Sequence, residues 1–358
     1  MNEDCLKLTA YFGERGRAED RFLADVMLDL FGEREIATSV LMRGIEGFGF
    51  KHHLRTDRLL TLSEDLPLVA VAVDERHRVE SLLADLMTVD HHALLTLERA
   101  RMLRGEIGPV TLPQELHEAT KLTVYVGRQE RVYRAPAFAA VCDLLHRRGI
   151  AGATVLLGVD GTAHGVRQRA RFIGRNADVP MMIIAVGDGE RIGRVLPELG
   201  GLLRRPLVTL ERVRVCRRNG ELVAPPQQLP GTDERGRPLW QKLMVFTSER
   251  AMHDGQPVHQ ALVRRLRQTG SRGATALRGI WGFQGESAPH GDRVWQLGRR
   301  VPVVTVIVDV PDGIARSFEV VDEITAEHGV VTSELVPALS LAHPGGQRAR
   351  LRLARHRF

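Results

Sequence analysis

Lys121-Leu122-Thr123-Val124-Tyr125-Val126-Gly127 restates Lys7-Leu8-Thr9-Ala10-Tyr11-Phe12-Gly13, and Lys242-Leu243-Met244-Val245-Phe246-Thr247-Ser248 restates it more loosely. Each lysine is followed 37 residues later by the first glycine of a pair: Gly44-Ile45-Glu46-Gly47, Gly158-Val159-Asp160-Gly161 and Gly279-Ile280-Trp281-Gly282. A proline opening an apolar run comes next, Pro67, Pro180 and Pro302, at 60, 59 and 60 residues from its lysine. Three landmarks holding register in three copies mark one structural unit written three times.

Each unit reads strand, helix, strand, long loop, strand, helix, strand. The lysine run alternates apolar and polar residues, as a strand does. First helices are expected over 20–31, 135–147 and 257–268. Pro136 and Pro257 suit a helix start, and Gly32, Gly149 and Gly270 suit its stop. Second strands over 38–42, 153–157 and 274–277 run into the glycine pairs. The third strands, such as Leu68-Val69-Ala70-Val71-Ala72-Val73, are apolar at nearly every position. Second helices near 76–86, 190–199 and 314–327 lead to last strands at 94–97, 207–210 and 330–332.

That order, βαββαβ, is the ferredoxin-like plait: an antiparallel sheet with both helices on one face. A uniformly apolar strand implies burial on both faces, and the helices cover only one. The other copies supply the second cover. The expected architecture is α+β: three tandem ferredoxin-like plaits closing as a pseudo-trimer within one chain, and hence a monomer. The repeats are placed at 5–103, 120–218 and 240–342. A linker over 104–119 and a Pro/Gly-rich, extended and solvated one over 219–239 join them, and a basic tail follows over 343–358.

A net charge of +6 overlies an unusual choice of cations: of 50 basic residues only Lys7, Lys51, Lys121 and Lys242 are lysines. A modest excess spread along the chain, with aromatics at 5%, gives little support to nucleic-acid binding. No apolar stretch approaches the roughly 18 residues of a membrane helix, and the start Met1-Asn2-Glu3-Asp4 is acidic, so the expected location is cytoplasmic. Cys5, Cys142 and Cys216 stand at unmatched repeat positions and read as packing thiols.

The first glycine pair continues as Gly47-Phe48-Gly49-Phe50-Lys51. With the plait and the trimeric logic, this resembles the PII signal-transduction superfamily, and the Lys-Leu-x-x-Tyr start resembles the PII-like domain-of-unknown-function family 190. Members of that family are commonly single copies and often encoded beside fluoride channels. The resemblance implies a regulatory protein whose effectors, commonly adenine nucleotides in PII proteins, enter clefts between neighbouring units and are relayed through the long loop. The expectation for this chain is a small anionic effector, with a membrane channel or transporter as a candidate partner. Carried over by position, the ligand-binding candidates are Gly44, Gly47, Phe48 and Gly49, then Gly158, Gly161 and Thr162, then Gly279, Gly282, Phe283 and Gly285. The segment after each second helix lacks the lysine of the PII phosphate grip, a departure from the PII nucleotide site that leaves ATP binding open, and the long loops hold no tyrosine, so the tyrosine switch does not carry over. No cofactor is implied.

Read from the residues alone, a strand followed by Gly-x-x-Gly fits an anion-binding nest or a tight turn. The loops carry His52, His53, Arg55 and Arg58, then His164, Arg167, Arg169, Arg171 and Arg175, then His290, Arg293, Arg299 and Arg300. Such sets suit an anionic effector or, in the rival reading, a polyanion or nucleic acid bound by loops and tail. His52-His53 and Asp90-His91-His92 lack a third ligand, so no metal is expected. Lys7, Lys121 and Lys242 read as members of structural ion pairs. With no nucleophile elbow, Walker loop or dinucleotide fingerprint, the expected class is a binding protein rather than an enzyme.

Overall fold

The computed structural model describes residues 3–49, 55–56, 65–89, 92–163, 165–167, 179–285, 287–291, 301–327 and 329–341. In each repeat the sheet order is second, third, first, last strand, all antiparallel. In repeat 1, Glu3–Gly13 lies between Pro67–Glu75 and Leu94–Arg104, and Thr38–Arg43 pairs outside Pro67–Glu75. Repeat 2 uses Thr120–Gly127, Gly152–Leu157, Pro180–Gly187 and Leu207–Arg212. Repeat 3 uses Trp240–Ser248, Ala274–Gln284, Pro302–Asp309 and Val330–Val336. This is the ferredoxin-like plait three times.

The third strands divide their two faces as the apolar pattern requires. Leu68, Ala70 and Ala72 pack under the helices of repeat 1, while Val69, Val71 and Val73 turn into a second core. That second core is shared, because Met182 and Ile184 of repeat 2 and Val304, Val306 and Val308 of repeat 3 meet there. Each repeat thus has a private core beneath its helices and contributes its open face to a common one.

Two rings of strand pairing close the assembly. Last strands extend forward: Arg101–Arg104 pairs with Leu207–Leu210, Arg214–Arg218 with Val330–Ser333, and Ala338–Leu341 with Leu94–Leu97 of repeat 1. Second strands extend backward: Asp160–Ala163 pairs with repeat 1, Ala274–Gln284 with repeat 2, and Glu46–Phe48 with repeat 3. Every repeat is therefore hydrogen-bonded to both others.

Several local expectations change. The first helices start later, at Leu23, Ala137 and Val258, because a two-stranded hairpin precedes each. Pro136 and Pro257 are the caps just before the helices rather than their first turn. Gly149 and Gly270 follow the C-caps with φ of +71° and +78°, but Gly32 lies inside its helix, and Glu35 takes the left-handed position at +49°. The 219–239 linker is not simply solvated. Asp233 accepts the amides of Arg235 and Arg237 and the Arg237 guanidinium, and Leu229 and Leu239 are buried. Ile107, Leu112 and Leu116 of the first linker join the repeat 2 core. Cys5, Cys142 and Cys216 are buried free thiols, and burial pushes the last up to about 12. Among the described residues no helix is long and apolar enough to cross a membrane. The tail 343–358 lies outside the described residues.

Candidate functional site

Titratable groups gather first on the pseudo-threefold axis. Within each repeat the first and last strands pair Lys7 with Glu98, Lys121 with Glu211 and Lys242 with Glu334. These cross-strand pairs lie 3.1, 2.9 and 3.1 Å apart. Each lysine also reaches a neighbour's carboxylate: Lys7 to Glu211 at 2.5 Å, Lys121 to Glu334 at 2.5 Å and Lys242 to Glu98 at 2.6 Å. The six form a closed ring of alternating sign, with every member at most 5% exposed. The lysines were expected in ion pairs; the three glutamates were missed. Their signal is a Thr-x-Glu in every last strand: Thr96-Leu97-Glu98, Thr209-Leu210-Glu211 and Thr332-Ser333-Glu334.

Burial disfavours every charge in this ring. At Lys7, Glu211 and Glu98 overcome it and raise the amine's pKa, and at Lys242, Glu334 and Glu98 do the same. At Lys121 burial outweighs the carboxylates and lowers it. Burial would raise Glu98 and Glu334, but Lys242 at the first and Lys121 at the second lead the ammonium groups that hold both below the usual carboxylate range. The three glutamates bring oxygens within 4.8 Å of one another, close enough for a metal, but each already bridges two ammonium groups. The ring is a neutral structural cluster.

The glycine pairs lie where repeats touch. A Cβ on Gly47 would stand 2.6 Å from Ala274 O, on Gly161 2.1 Å from Ser39 O, and on Gly282 2.2 Å from Ala153 O. At Gly44 and Gly279 a Cβ would come within 2.7 and 2.8 Å of the Cγ of Pro67 and Pro302, and at Gly158 within 2.1 Å of Pro180 O. Glycine and proline, the sequence landmarks, thus meet in space at each junction. Phe48 enters the core of repeat 3, and Phe283 enters that of repeat 2, edge-on to His146 at 5.1 Å. Thr162, at the same repeat position, instead donates to Ile36 O and bonds Ser39 Oγ. Gly49 and Gly285 face open space.

Beside these junctions the repeats leave clefts. Between repeats 2 and 3 lies one of about 700 Å³, which Gly282 and Phe283 help to line and whose adjoining rim includes Gly285. Its floor is apolar, with Ile184, Val186, Phe246 and Val330, and Arg218 and Arg250 supply charge. No carboxylate lines it among the described residues. Thr247 Oγ1, Trp281 Nε1 and Arg218 Nε are buried there without a hydrogen-bond partner. Of the expected loop cations, His290 lines this cleft, its Nδ1 2.9 Å from Ala288 O. The corresponding cleft between repeats 1 and 2, about 680 Å³, mixes Arg78, Arg104, Arg204 and Arg205 with Glu35, Asp74 and Glu75. There Arg104 pairs with Glu75 at 2.6 Å.

Arg55 pairs with Asp65 at 2.9 Å, and Arg167 sits in a short strand. His52, His53, Arg58, His164, Arg169, Arg171, Arg175, Arg293, Arg299 and Arg300 lie outside the described residues, as do Asp90 and His91. Sequence reading missed Arg218, Arg250, Thr247 and Trp281. Arg104 and Arg218, at the forward ends of two last strands, shared a repeat position that could have flagged them.

The model of domain-of-unknown-function family 190, described as an uncharacterized ACR, matches residues 5–102, 119–215 and 240–338. A UPF0166 protein of Aquifex aeolicus (strain VF5) is 34% identical over 100 residues, which is 28% of this chain and 92% of that protein. Among solved structures, the aspartate kinase of Synechocystis aligns over 93% of this chain, which spans 44% of that one, at 9% identity and a TM-score of 0.24, too loose to define a shared fold.

Proposed function

Because the chain belongs to domain-of-unknown-function family 190 through three tandem copies, we propose that it is a PII-like regulatory protein that binds a small anionic effector between repeats. The observation that carries this is the cleft between repeats 2 and 3: Arg218 and Arg250 in its lining, no carboxylate among the described residues, and unpartnered donors on Thr247 and Trp281. Its volume falls in the range of small-molecule sites. Cations in a concave wall concentrate an anion and form its strongest hydrogen bonds.

The same cleft includes Ser287–Gly291, the described start of the third long loop. An effector held against His290 and Ser287 would bias that loop, and a partner reading the loop, such as a membrane channel or transporter, would receive the signal. The role is binding, with no chemistry performed on the effector.

A thermal-shift screen of nucleotides, phosphate, carboxylates and fluoride tests this. A ligand at 100 times its dissociation constant stabilises a fold by about 2.7 kcal/mol, a readable shift. A flat response across the screen removes the effector reading. Binding that instead requires a long polyanion and collapses between low and moderate salt supports the rival, since phosphate contacts release counterions.

A further inference from the structure

The Thr-x-Glu of the last strands occurs three times in sequence but closes on itself only once in space. In repeat 1, Thr96 donates to the second carboxylate oxygen of Glu98, Oε1, at 3.0 Å. Its counterparts do not. Thr209 Oγ1 and Glu211 Oε1 in repeat 2, and Thr332 Oγ1 and Glu334 Oε1 in repeat 3, are buried with no hydrogen-bond partner among the described residues. Across the sheet from Thr209 stands Thr123, whose hydroxyl is also buried and unpartnered, and the Tyr125 hydroxyl faces Thr209 without bonding it. All three threonines are fully buried.

Alternation along the strands turns these groups to one side. Leu122, Val124, Val208 and Leu210 pack beneath the helices of repeat 2, so Thr123, Thr209 and Glu211 face the other way, with Tyr125 in the shared core. Val331 lies in the core of repeat 3, so Thr332 and Glu334 face the axis as well. The ring already occupies Oε2 of both glutamates, since Lys121 lies 2.9 Å from that of Glu211 and 2.5 Å from that of Glu334.

The chemistry of these groups selects their ligand. A carboxylate oxygen only accepts, a hydroxyl both donates and accepts, and leaving either unmet in a dry interior is costly. The ring's three ammonium groups balance its three carboxylates, so an added cation or anion would be an uncompensated buried charge. A neutral molecule that donates to the carboxylate and accepts from the hydroxyl fits both. We propose that the pseudo-threefold axis holds two internal water sites, one joining Thr209, Thr123 and Tyr125 to Glu211, the other joining Thr332 to Glu334. They do in repeats 2 and 3 what the direct Thr96 bond does in repeat 1. In repeat 3 Met244 stands in the cross-strand threonine's place, so the second water has fewer partners, still within the range of about two to four for structural water. These sites are independent of the clefts between repeats.

A high-resolution crystal structure of the full chain, with two valine variants, tests this. Water density is expected within hydrogen-bond distance of Thr209 and Glu211, and of Thr332 and Glu334. Direct bonds from both threonines to their own glutamates, or the short coordination distances of a bound cation, would overturn it. Thr209→Val and Thr332→Val keep the shape and remove an anchor of the water. Each should lower the melting temperature and move acid unfolding to higher pH, because a carboxylate that loses a donor is more easily protonated. At Glu334 that loss is read against an unchanged set of charges, Lys121, Lys242, Lys7 and Glu98. Thr332→Ser, which restores the hydroxyl, should return the acid midpoint. Thr305→Val removes a buried unpartnered hydroxyl from the helix-facing side of its strand and should leave the acid midpoint in place. A dry axis predicts the reverse for the two axial variants, an equal or higher melting temperature with no shift in acid unfolding, and that result would overturn the proposal. So would a shift in Thr305→Val as large as theirs.

Discussion

Lysine at the axis stands out against a chain that uses arginine almost everywhere else: three of its four lysines, Lys7, Lys121 and Lys242, form the ring with Glu98, Glu211 and Glu334. A compact ammonium fits between two carboxylates on a crowded axis, whereas a planar guanidinium needs width and more acceptors. Lys7→Met should cost about 3–5 kcal/mol in chemical denaturation, because it strands buried carboxylates. Lys7→Arg should also destabilise, by about 1–3 kcal/mol, through overpacking. The pH dependence follows from the shifts. Glu98 and Glu334 are lowered in the folded state, so their contribution is present above the ordinary glutamate value near 4.3 and is lost as pH falls below it through the folded values. Lys7 and Lys242 are raised, so theirs is complete below about pH 10.4 and is lost only as pH rises through the folded values. Acid titration of stability that shows no loss between about pH 5 and 2 would contradict the charged ring.

At the scale of the element, the junction between second strand and neighbour is built from absence and insertion. The glycine pair leaves out a Cβ where a proline ring or a neighbour's carbonyl stands, and the next side chain enters or pins the adjacent repeat. Gly161→Ala should cost about 1–3 kcal/mol or more, since its Cβ would meet a backbone carbonyl that cannot swing aside. Phe283→Ala should cost about 3–5 kcal/mol by opening a cavity in the core of repeat 2. Both are read in urea melts, and a neutral Phe283→Ala would mean the insertion is dispensable. This is where sequence legibility stops. Lysine, glycine and proline kept register because each position has an exclusive chemistry, so the repeat, the plait and the open-face argument could all be read. Which neighbour's carbonyl a glycine faces depends on contacts far apart in sequence. Arg218 and Trp281 meet only because two different repeats place them on one wall, so the cleft's lining could not be read from any single copy.

For the whole molecule, the threefold is closed internally by both rings of strand pairing, so light scattering should report the chain's 39.8 kDa. An obligate species at three times that mass would mean the clefts lie between chains instead. Tandem linkage has a further consequence for descent. In a ring of identical subunits, one changed codon alters all three interfaces together, and a change that helps one use must be tolerated at every copy. Here each interface is encoded separately. Two can remain conservative and keep the ring shut while the third drifts toward a new task, and Trp281, standing where the other copies carry Glu46 and Asp160, has the form such independent inheritance permits.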